Sequence, residues 1–566
     1  MQYCLLGKKR KNRLFTLIML LTVLLMVYYS VDLSVPVQHS SSDRSNSCDR
    51  CLSYYETLEP GWSNDFYDVN QKSLAPAEDV IKLVTRIIIF SKCLQQGGRR
   101  NVQRLRNVEK RLFPYINFER LETDETNFWH SHTRWNGEVH HASVMEFDRK
   151  GHHFVRSRPI NFDTGLSFWE NWLQRITQSG SRGIVISASD TQLDETVRLL
   201  KVLRYFKNDY PIQIVHNADL SQDSIRLLVK YGRSEDTPEY PAQEIWFSNV
   251  RNLLSPKYSN KFATYSNKWL ALIFSFFEVP ILLDSDTVPF VPIDEFYKLE
   301  EFQRTGALFF KDRIISNDLF ESSQLDVLKE IIHGCIGLNL TDESDIHEKI
   351  EDPTVVQVLE NMLIKKHKHH LESGLVVLHK DKHLFSVLIS VALQFSPISE
   401  YFHGDKDWFW MGELLSNNHF TFHPVDASNI GQFGNVVSKE STGEFYQICS
   451  VQLSHTDKDG SLLWLNGGLN VCKKASWEYD YEHSQRLADM FQDAEALRKY
   501  YQSPVKLEGI IIPDANISGW VKSGECFMFN YCTLFKEAQF GKAIKFKESE
   551  KRRFSEIVRI WNENVF

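Results

Sequence analysis

The sequence predicts an α/β protein built on a parallel-type sheet with helices on its faces, and three observations carry that expectation. GIVISAS (183–189) and IQIVH (212–216) are short apolar runs, each followed by polar residues. Between them, 194–208 has helical spacing at Val197, Leu200, Val202, Leu203 and Phe206. Strand, helix and strand in that order form the unit of a parallel sheet. KWLALIFSFFEV (268–279) is apolar nearly all round, as a buried helix is. Ser266 or Asn267 is placed to cap it, Pro280 to end it, and Ile281–Leu283 to begin the next strand. GALFFKDR (306–313) and SGLVVLHK (373–380) read as two further buried strands.

The chain before this body is of another kind. Residues 1–13 carry Lys8, Lys9, Arg10, Lys11 and Arg13 and no acid, although the whole chain of 566 residues has a net charge of -8. The rest is therefore strongly acidic, which argues against nucleic acid as the partner. Residues 14–31 are apolar and uncharged, near the lower limit for a membrane-spanning helix. With the basic cluster before it, this predicts a signal anchor: a cytosolic tail at 1–13, one span at 14–31 and everything beyond on the far side. A cleaved signal peptide is the alternative, but no small-residue cleavage site follows the apolar run. Residues 32–75, Ser-rich at first and without periodicity, read as a stem, and the folded body is placed at 76–566. The stem and span also offer surfaces for oligomerisation.

Cys4 falls on the cytosolic side, and the other eight cysteines are compatible with up to four disulfides of undefined connectivity. Cys48 and Cys51 have C-x-x-C spacing, but no second pair at zinc-site spacing accompanies them. The histidines at 130, 132, 140, 141, 152 and 153 fit no zinc pattern and are expected at the surface, and KKHKHH (365–370) is expected to be solvated.

The chemistry centres on ILLDSDTVPFVP (281–292). Asp284 and Asp286 follow a buried strand, where two close carboxylates repel unless a cation lies between them. A divalent metal with oxygen ligands is the usual remedy, and two solvated turn residues are the alternative. In a parallel sheet ligands bind beyond the carboxyl ends of the strands, so Ser187, Ser189 and Asp190 are either nucleotide contacts or ordinary polar loop residues. HGDKDWFWMGELL (403–415) sets Trp408, Phe409 and Trp410 beside Asp405 and Asp407, which suits either a sugar site or a capped core helix. No phosphate-loop kinase motif, H-E-x-x-H or G-x-S-x-G is present. Nucleotide-sugar transfer fits best, because a metal at the carboxylates stabilises charge growing on a leaving diphosphate.

YSNKWLALIFSFFEVPILLDSDTVPFV (265–291), SGLVVLHK (373–380), HGDKDWFWMGE (403–413) and SHTDKDGSLLWLNGG (454–468) together resemble the fungal Golgi α-1,3-mannosyltransferase family. The resemblance runs over about 180–475, is strongest at 261–292, and suits a type II anchor and stem. It implies a GT-A-like fold with a Rossmann-type nucleotide-sugar-binding sheet, a Golgi membrane location, GDP-mannose as donor and Mn²⁺ as metal. It also implies transfer with retention onto the terminal mannose of N- or O-linked glycans. Carried over, Asp284 contacts the ribose and shares the metal, while Asp286 is the main metal ligand. His455 matches a late metal ligand of related enzymes. Asp405 and Asp407 lie near the acceptor or the anomeric carbon, and Lys268 faces the diphosphate or turns outward. No nucleophile is assigned. The rival readings are an α-1,2-mannosyltransferase of a related family and an inactive glycan-binding scaffold.

Overall fold

The computed structural model describes residues 51–563, apart from 66–72, 96–100, 124–128, 142, 149, 160–161, 235–239, 316, 339–342, 436–442, 474–475, 515 and 518. The elements that position the site are, in chain order, helix α1 (Pro76–Gln95), strand β1 (Arg182–Ser187), helix α2 (Leu193–Tyr205), and strands β2 (Ile212–His216) and β3 (Ile245–Asn249). Helix α3 (Asn267–Phe274) and strands β4 (Val279–Leu283), β5 (Thr287–Pro289), β6 (Ala307–Lys311) and β7 (Leu371–Leu378) follow. Then come helices α4 (Lys380–Gln394) and α5 (Trp408–Leu415) and strands β8 (Leu453–Thr456) and β9 (Leu462–Asn466).

The expected strand–helix–strand unit is present: β1 and β2 pair in parallel through Ile184–Ile212 to Ser187–Val215. They sit in a nine-stranded sheet whose central order is β6-β7-β4-β1-β2-β3. β4, β1, β2 and β3 are mutually parallel, whereas β7 runs antiparallel to both β4 and β6. The sheet is therefore mixed. The chain leaves β1 toward β2 and β3 on one side, then returns to β4 on the other. That reversal opens a crevice at the carboxyl ends of β1 and β4, the usual ligand position in such sheets. Val, Ile and Leu fill these strands because both faces are covered, and β4 is buried throughout.

α3 is buried along its whole length, as its composition predicts. It does not reach Pro280, however. Gln213 Oε1, buried in β2, accepts the Phe276 N–H at 2.9 Å, and the backbone is already extended at Ser275. The chain thus leaves the helix at Phe274, and Pro280 lies within β4.

Beyond β4 the chain changes sheets. Asp284-Ser285-Asp286 is the corner, and β5 pairs with β9 in a second, six-stranded sheet. The Thr287 N–H donates to Asp284 O at 3.1 Å and closes the bend, while the Asp284 N–H donates to Gly374 O at 2.9 Å. A side chain at Gly374 would meet Thr287 Oγ1 at 2.8 Å and the Trp464 ring at 3.0 Å, so only glycine lets the two sheets come this close.

The folded body begins earlier than position 76. Leu52 and Tyr55 are buried, the Tyr55 hydroxyl donates to Arg86 O in α1, and Cys51 is disulfide-bonded to Cys93. Apolar contact and the crosslink, rather than periodicity, hold this segment. Cys51 is thereby taken out of any C-x-x-C chemistry. Cys449–Cys532 and Cys472–Cys526 are also bonded. Cys48, the tail and the apolar stretch 14–31 lie outside the described residues. Among the described residues no helix is long and apolar enough to cross a membrane.

His130, His132 and His140 are buried rather than at the surface. His132 is packed with Ser248 Oγ at 2.8 Å and the buried Arg175 at 2.8 Å, and His130 reaches Phe274 O at 3.0 Å. Their partners come from remote elements, which the local sequence does not display. The basic run 365–370 is likewise not wholly solvated: His370 is buried, and His369 reaches Asp318 at 3.1 Å.

Candidate active site

Asp284 and Asp286 leave the end of β4 across a bend, and each meets a different ammonium. Lys268, in the first turn of α3, places Nζ 2.8 Å from Asp284 Oδ2, 3.0 Å from Asp405 Oδ2 and 2.9 Å from Ser373 Oγ. Lys473 pairs with Asp286 Oδ2. The Gly468 N–H donates to the Asp286 carbonyl at 2.9 Å and fixes the backbone there.

A second carboxylate pair lies alongside. Lys406 Nζ is 2.7 Å from both Asp312 Oδ2 and Glu372 Oε2. Glu372 Oε1 accepts from Asn466 Nδ2 at 2.7 Å and from the Gly374 N–H at 3.1 Å. Two cleft regions meet at these groups. One, of about 370 Å³, is lined by Lys268, Asp284, Asp405, Lys406 and Glu372. The other, of about 310 Å³, is lined by Asp194, Glu195, Arg198 and Asp286. Gly467 and Lys473 border both.

Burial divides the two central carboxylates electrostatically. It pushes Asp284 up to about 7, with Lys268 opposing and Asp286 adding to the rise. Burial works the same way on Asp286, but the Lys473 ammonium outweighs it and holds that group below the ordinary carboxylate range. Asp286 therefore stays anionic at neutral pH, while Asp284 sits near the point of proton uptake. Burial opposes charge on Lys268 and Lys406, yet their paired carboxylates raise both above the usual lysine value. Asp312 is held low against its burial by Lys406 and Arg313.

Of the residues singled out in the sequence, Lys268, Asp284, Asp286 and Asp405 come together here. Ser187 ends β1 one residue past the Ile186–Leu283 pair, level with Asp284 across the parallel strands. Asp190 is engaged within the protein instead. Its Oδ1 accepts the Ser221 N–H at 2.8 Å, and that bond lowers its pKa. Asp407 is buried away from the cleft. Its Oδ1 accepts from His370 N–H and Leu371 N–H at 3.2 Å and from Trp410 Nε1 at 2.8 Å, so it fixes the start of β7 against α5. Trp408, Phe409 and Trp410 are core side chains.

His455 does not join the carboxylates either. It lies between Trp464, stacked at 4.3 Å, and Phe310 at 5.1 Å, and burial depresses its pKa far below the ordinary histidine value. Among the described residues, neither ring nitrogen has a hydrogen-bond partner. The strand alternation that puts Trp464 into the space between the sheets puts His455 there as well.

Asp312, Glu372, Lys406, Asn466 and Lys473 join the site without having stood out in the sequence. Two of them carried a signal. Asp312 follows a buried strand that is apolar up to its last residue, Lys311, and Glu372 is a lone charge inside the buried run of β7.

Residues 181–457 match the family described as "Mannosyltransferase putative". The chain is 74% identical over 561 residues to Alpha-1,3-mannosyltransferase MNT2 of Saccharomyces cerevisiae (strain ATCC 204508 / S288c), covering 98% of this chain and 100% of that protein. It is 39% identical to Probable alpha-1,3-mannosyltransferase MNT4 of the same organism, over 99% of each. A solved structure of the mannosyltransferase Ktr4p from S. cerevisiae in complex with GDP matches at 11% identity and a TM-score of 0.27, covering 42% of this chain and 68% of that one, a likeness too slight to bear weight. Full-length identity of this order, over a chain that carries the carboxylate corner at 284–286, makes this protein a member of the α-1,3-mannosyltransferase family.

Proposed function

We propose that α-1,3-mannosyl transfer by this chain draws on GDP-mannose, retains configuration, and extends the terminal mannose of N- or O-linked glycans, with Mn²⁺ or another divalent cation at Asp284 and Asp286. The observation that carries this reading is the corner at 284–286. It presents two carboxylates, each paired with an ammonium, where two cleft regions meet.

The donor set fits such an ion. Asp286 is held anionic, and the cation now beside it is a lysine that is one-third exposed. Among the described residues no cluster of three or more His, Cys, Asp or Glu converges to hold a metal. Two carboxylates with phosphate oxygens and water completing the shell are the usual arrangement for a small hard cation that accompanies a phosphorylated substrate. An ion bound there supplies electrostatic stabilisation of the charge that grows on the leaving diphosphate.

The chain's own residues do the rest. Lys268 holds Asp284 and Asp405 on one wall of the cleft, so that both carboxylates keep fixed directions. Lys406 does the same for Asp312 and Glu372. Were a divalent ion to pair with Asp286, Lys473, which borders both cleft regions, would be released to pair with a diphosphate oxygen. Asp405 lines the cleft beside Asp284 and offers a second carboxylate to sugar hydroxyls there.

The same proposal places the protein in the Golgi membrane as a single-pass type II protein, with 14–31 as the span and the body luminal. Three disulfides within the body support an oxidising compartment. Incubation of the purified chain with GDP-mannose and methyl α-mannoside tests the donor and metal. Disaccharide sensitive to an α-1,3-specific mannosidase is expected with Mn²⁺ and not with chelator. Equal transfer in chelator would remove the metal, and transfer from another nucleotide sugar alone would remove the donor.

A further inference from the structure

The loop Gly524–Phe529 holds three consecutive non-glycine residues in the left-handed region: Cys526, Phe527 and Met528, at φ of 55°, 56° and 66°. Side chains disfavour that backbone, and a run of three persists only where the surroundings over-determine it. Here they do. Cys526 is crosslinked to Cys472, and its N–H donates to Asp480 Oδ2 at 2.8 Å. That same oxygen accepts from Ser476 Oγ at 2.8 Å and from the Tyr501 hydroxyl at 2.7 Å. Next to it, Arg486 grips Glu525, with Nε 3.1 Å from Oε1.

The strained backbone turns large apolar side chains outward. Phe527 is 60% exposed and Met528 53%. Phe529, at the other end, lies with its ring 5.8 Å from Lys473 Nζ, the ammonium paired with Asp286. The loop thus has one end beside the catalytic carboxylate and the other outside the cleft. Beyond it lies a separate hollow of about 480 Å³, walled by Trp477, Glu478, Tyr479, Phe527 and Met528. Phe527 and Met528 also line the catalytic cleft, so the hollow adjoins it across these two side chains. Tyr479 is 63% exposed, with His483 stacked on one face at 3.9 Å.

Flat rings offer apolar faces to the C–H surfaces of a pyranose, and the Glu478 carboxylate accepts hydrogen bonds from hydroxyls. We infer that this hollow is an acceptor subsite that binds the mannose units preceding the terminal, reacting one. The inference rests on the mannosyl-transfer reading for the identity of the sugar.

Calorimetric binding of α-mannotriose and of methyl α-mannoside to the full chain tests it without chemistry. Wild type is expected to bind the trisaccharide about tenfold more tightly than the monosaccharide. Phe527→Gly, which removes the ring and relieves the backbone, and Tyr479→Ala should each reduce that preference to about threefold or less, while Phe527→Tyr keeps it. Unchanged unfolding temperatures show that the variants are folded. Equal binding of the two sugars by wild type, or an undiminished preference in both ring-deleted variants, would overturn the subsite. Transfer from GDP-mannose to methyl α-mannoside, assayed alongside, separates the two readings. Transfer without a trisaccharide preference removes the subsite alone. A preference lost in the variants, but with no transfer by wild type, removes the transfer reading and leaves a mannoside-binding subsite.

Discussion

Lys268 Nζ lies 2.8 Å from Asp284 Oδ2, and the same atom is 3.0 Å from Asp405 Oδ2, so one buried ammonium joins the corner of the sheet to the loop before α5. The three side chains are 11%, 20% and 4% exposed. Removing the cation strands Asp405, which water barely reaches, and leaves Asp284, one-fifth exposed on the cleft wall, without its partner.

Lys268→Met should therefore lower stability by about 3–5 kcal/mol, the usual cost of breaking a buried ion pair from one side. Adding Asp405→Asn should restore part of that loss and none of the transferase activity. Denaturant unfolding of the single and double variants, with initial rates from GDP-mannose, measures both.

His455→Phe separates a core histidine from a metal ligand. The ring is stacked on Trp464, and its nitrogens have no hydrogen-bond partner among the described residues. Phenylalanine of similar shape should be neutral or stabilising, and the Mn²⁺ concentration giving half-maximal transfer should stay within about twofold of wild type. A large rise in that concentration would put His455 back among the metal ligands.

The N-terminal boundary of the body is also open to measurement. A chain beginning at 76 lacks Cys51, Leu52 and Tyr55 and leaves Cys93 unpaired. It should melt well below a chain beginning at 51, and Cys51→Ser in the longer chain should account for roughly 2–4 kcal/mol of the difference.

Asp407 gives stability a dependence on pH. Burial raises its folded-state value from 3.8 to about 7, so the folded protein takes up a proton that the unfolded chain has already lost between those values. Stability contributed by this group is present at the acidic end and lost as pH rises to about 7. Asp407→Asn keeps an oxygen for the His370, Leu371 and Trp410 N–H groups and removes the titration. Urea midpoints should fall less steeply across that window in the variant, which should be the more stable protein at neutral pH.

The central carboxylates were legible because an apolar run that ends in acids has few physical outcomes. The parallel unit β1–α2–β2 and the buried α3 were legible for the same reason, since their periodicity is local. What escaped was set by distant partners. β7 runs antiparallel after a long excursion that no local pattern directs. Lys473 reaches Asp286 from a segment anchored by Cys472–Cys526, and that pairing is invisible in sequence. Asp405 and Asp407 look alike in the chain. Only the fold shows that one opens on the cleft while the other caps the β7 entry. His455 was singled out only by the family resemblance, and strand alternation packs its ring against Trp464 and Phe310.

The most direct test of the metal at the 284–286 corner is calorimetric binding of GDP with and without Mn²⁺, in wild type and in Asp286→Asn. Wild type should bind GDP at least about a hundredfold more tightly with Mn²⁺, and the folded variant should lose that enhancement. An Asp286→Asn variant with the full Mn²⁺ enhancement would contradict the account.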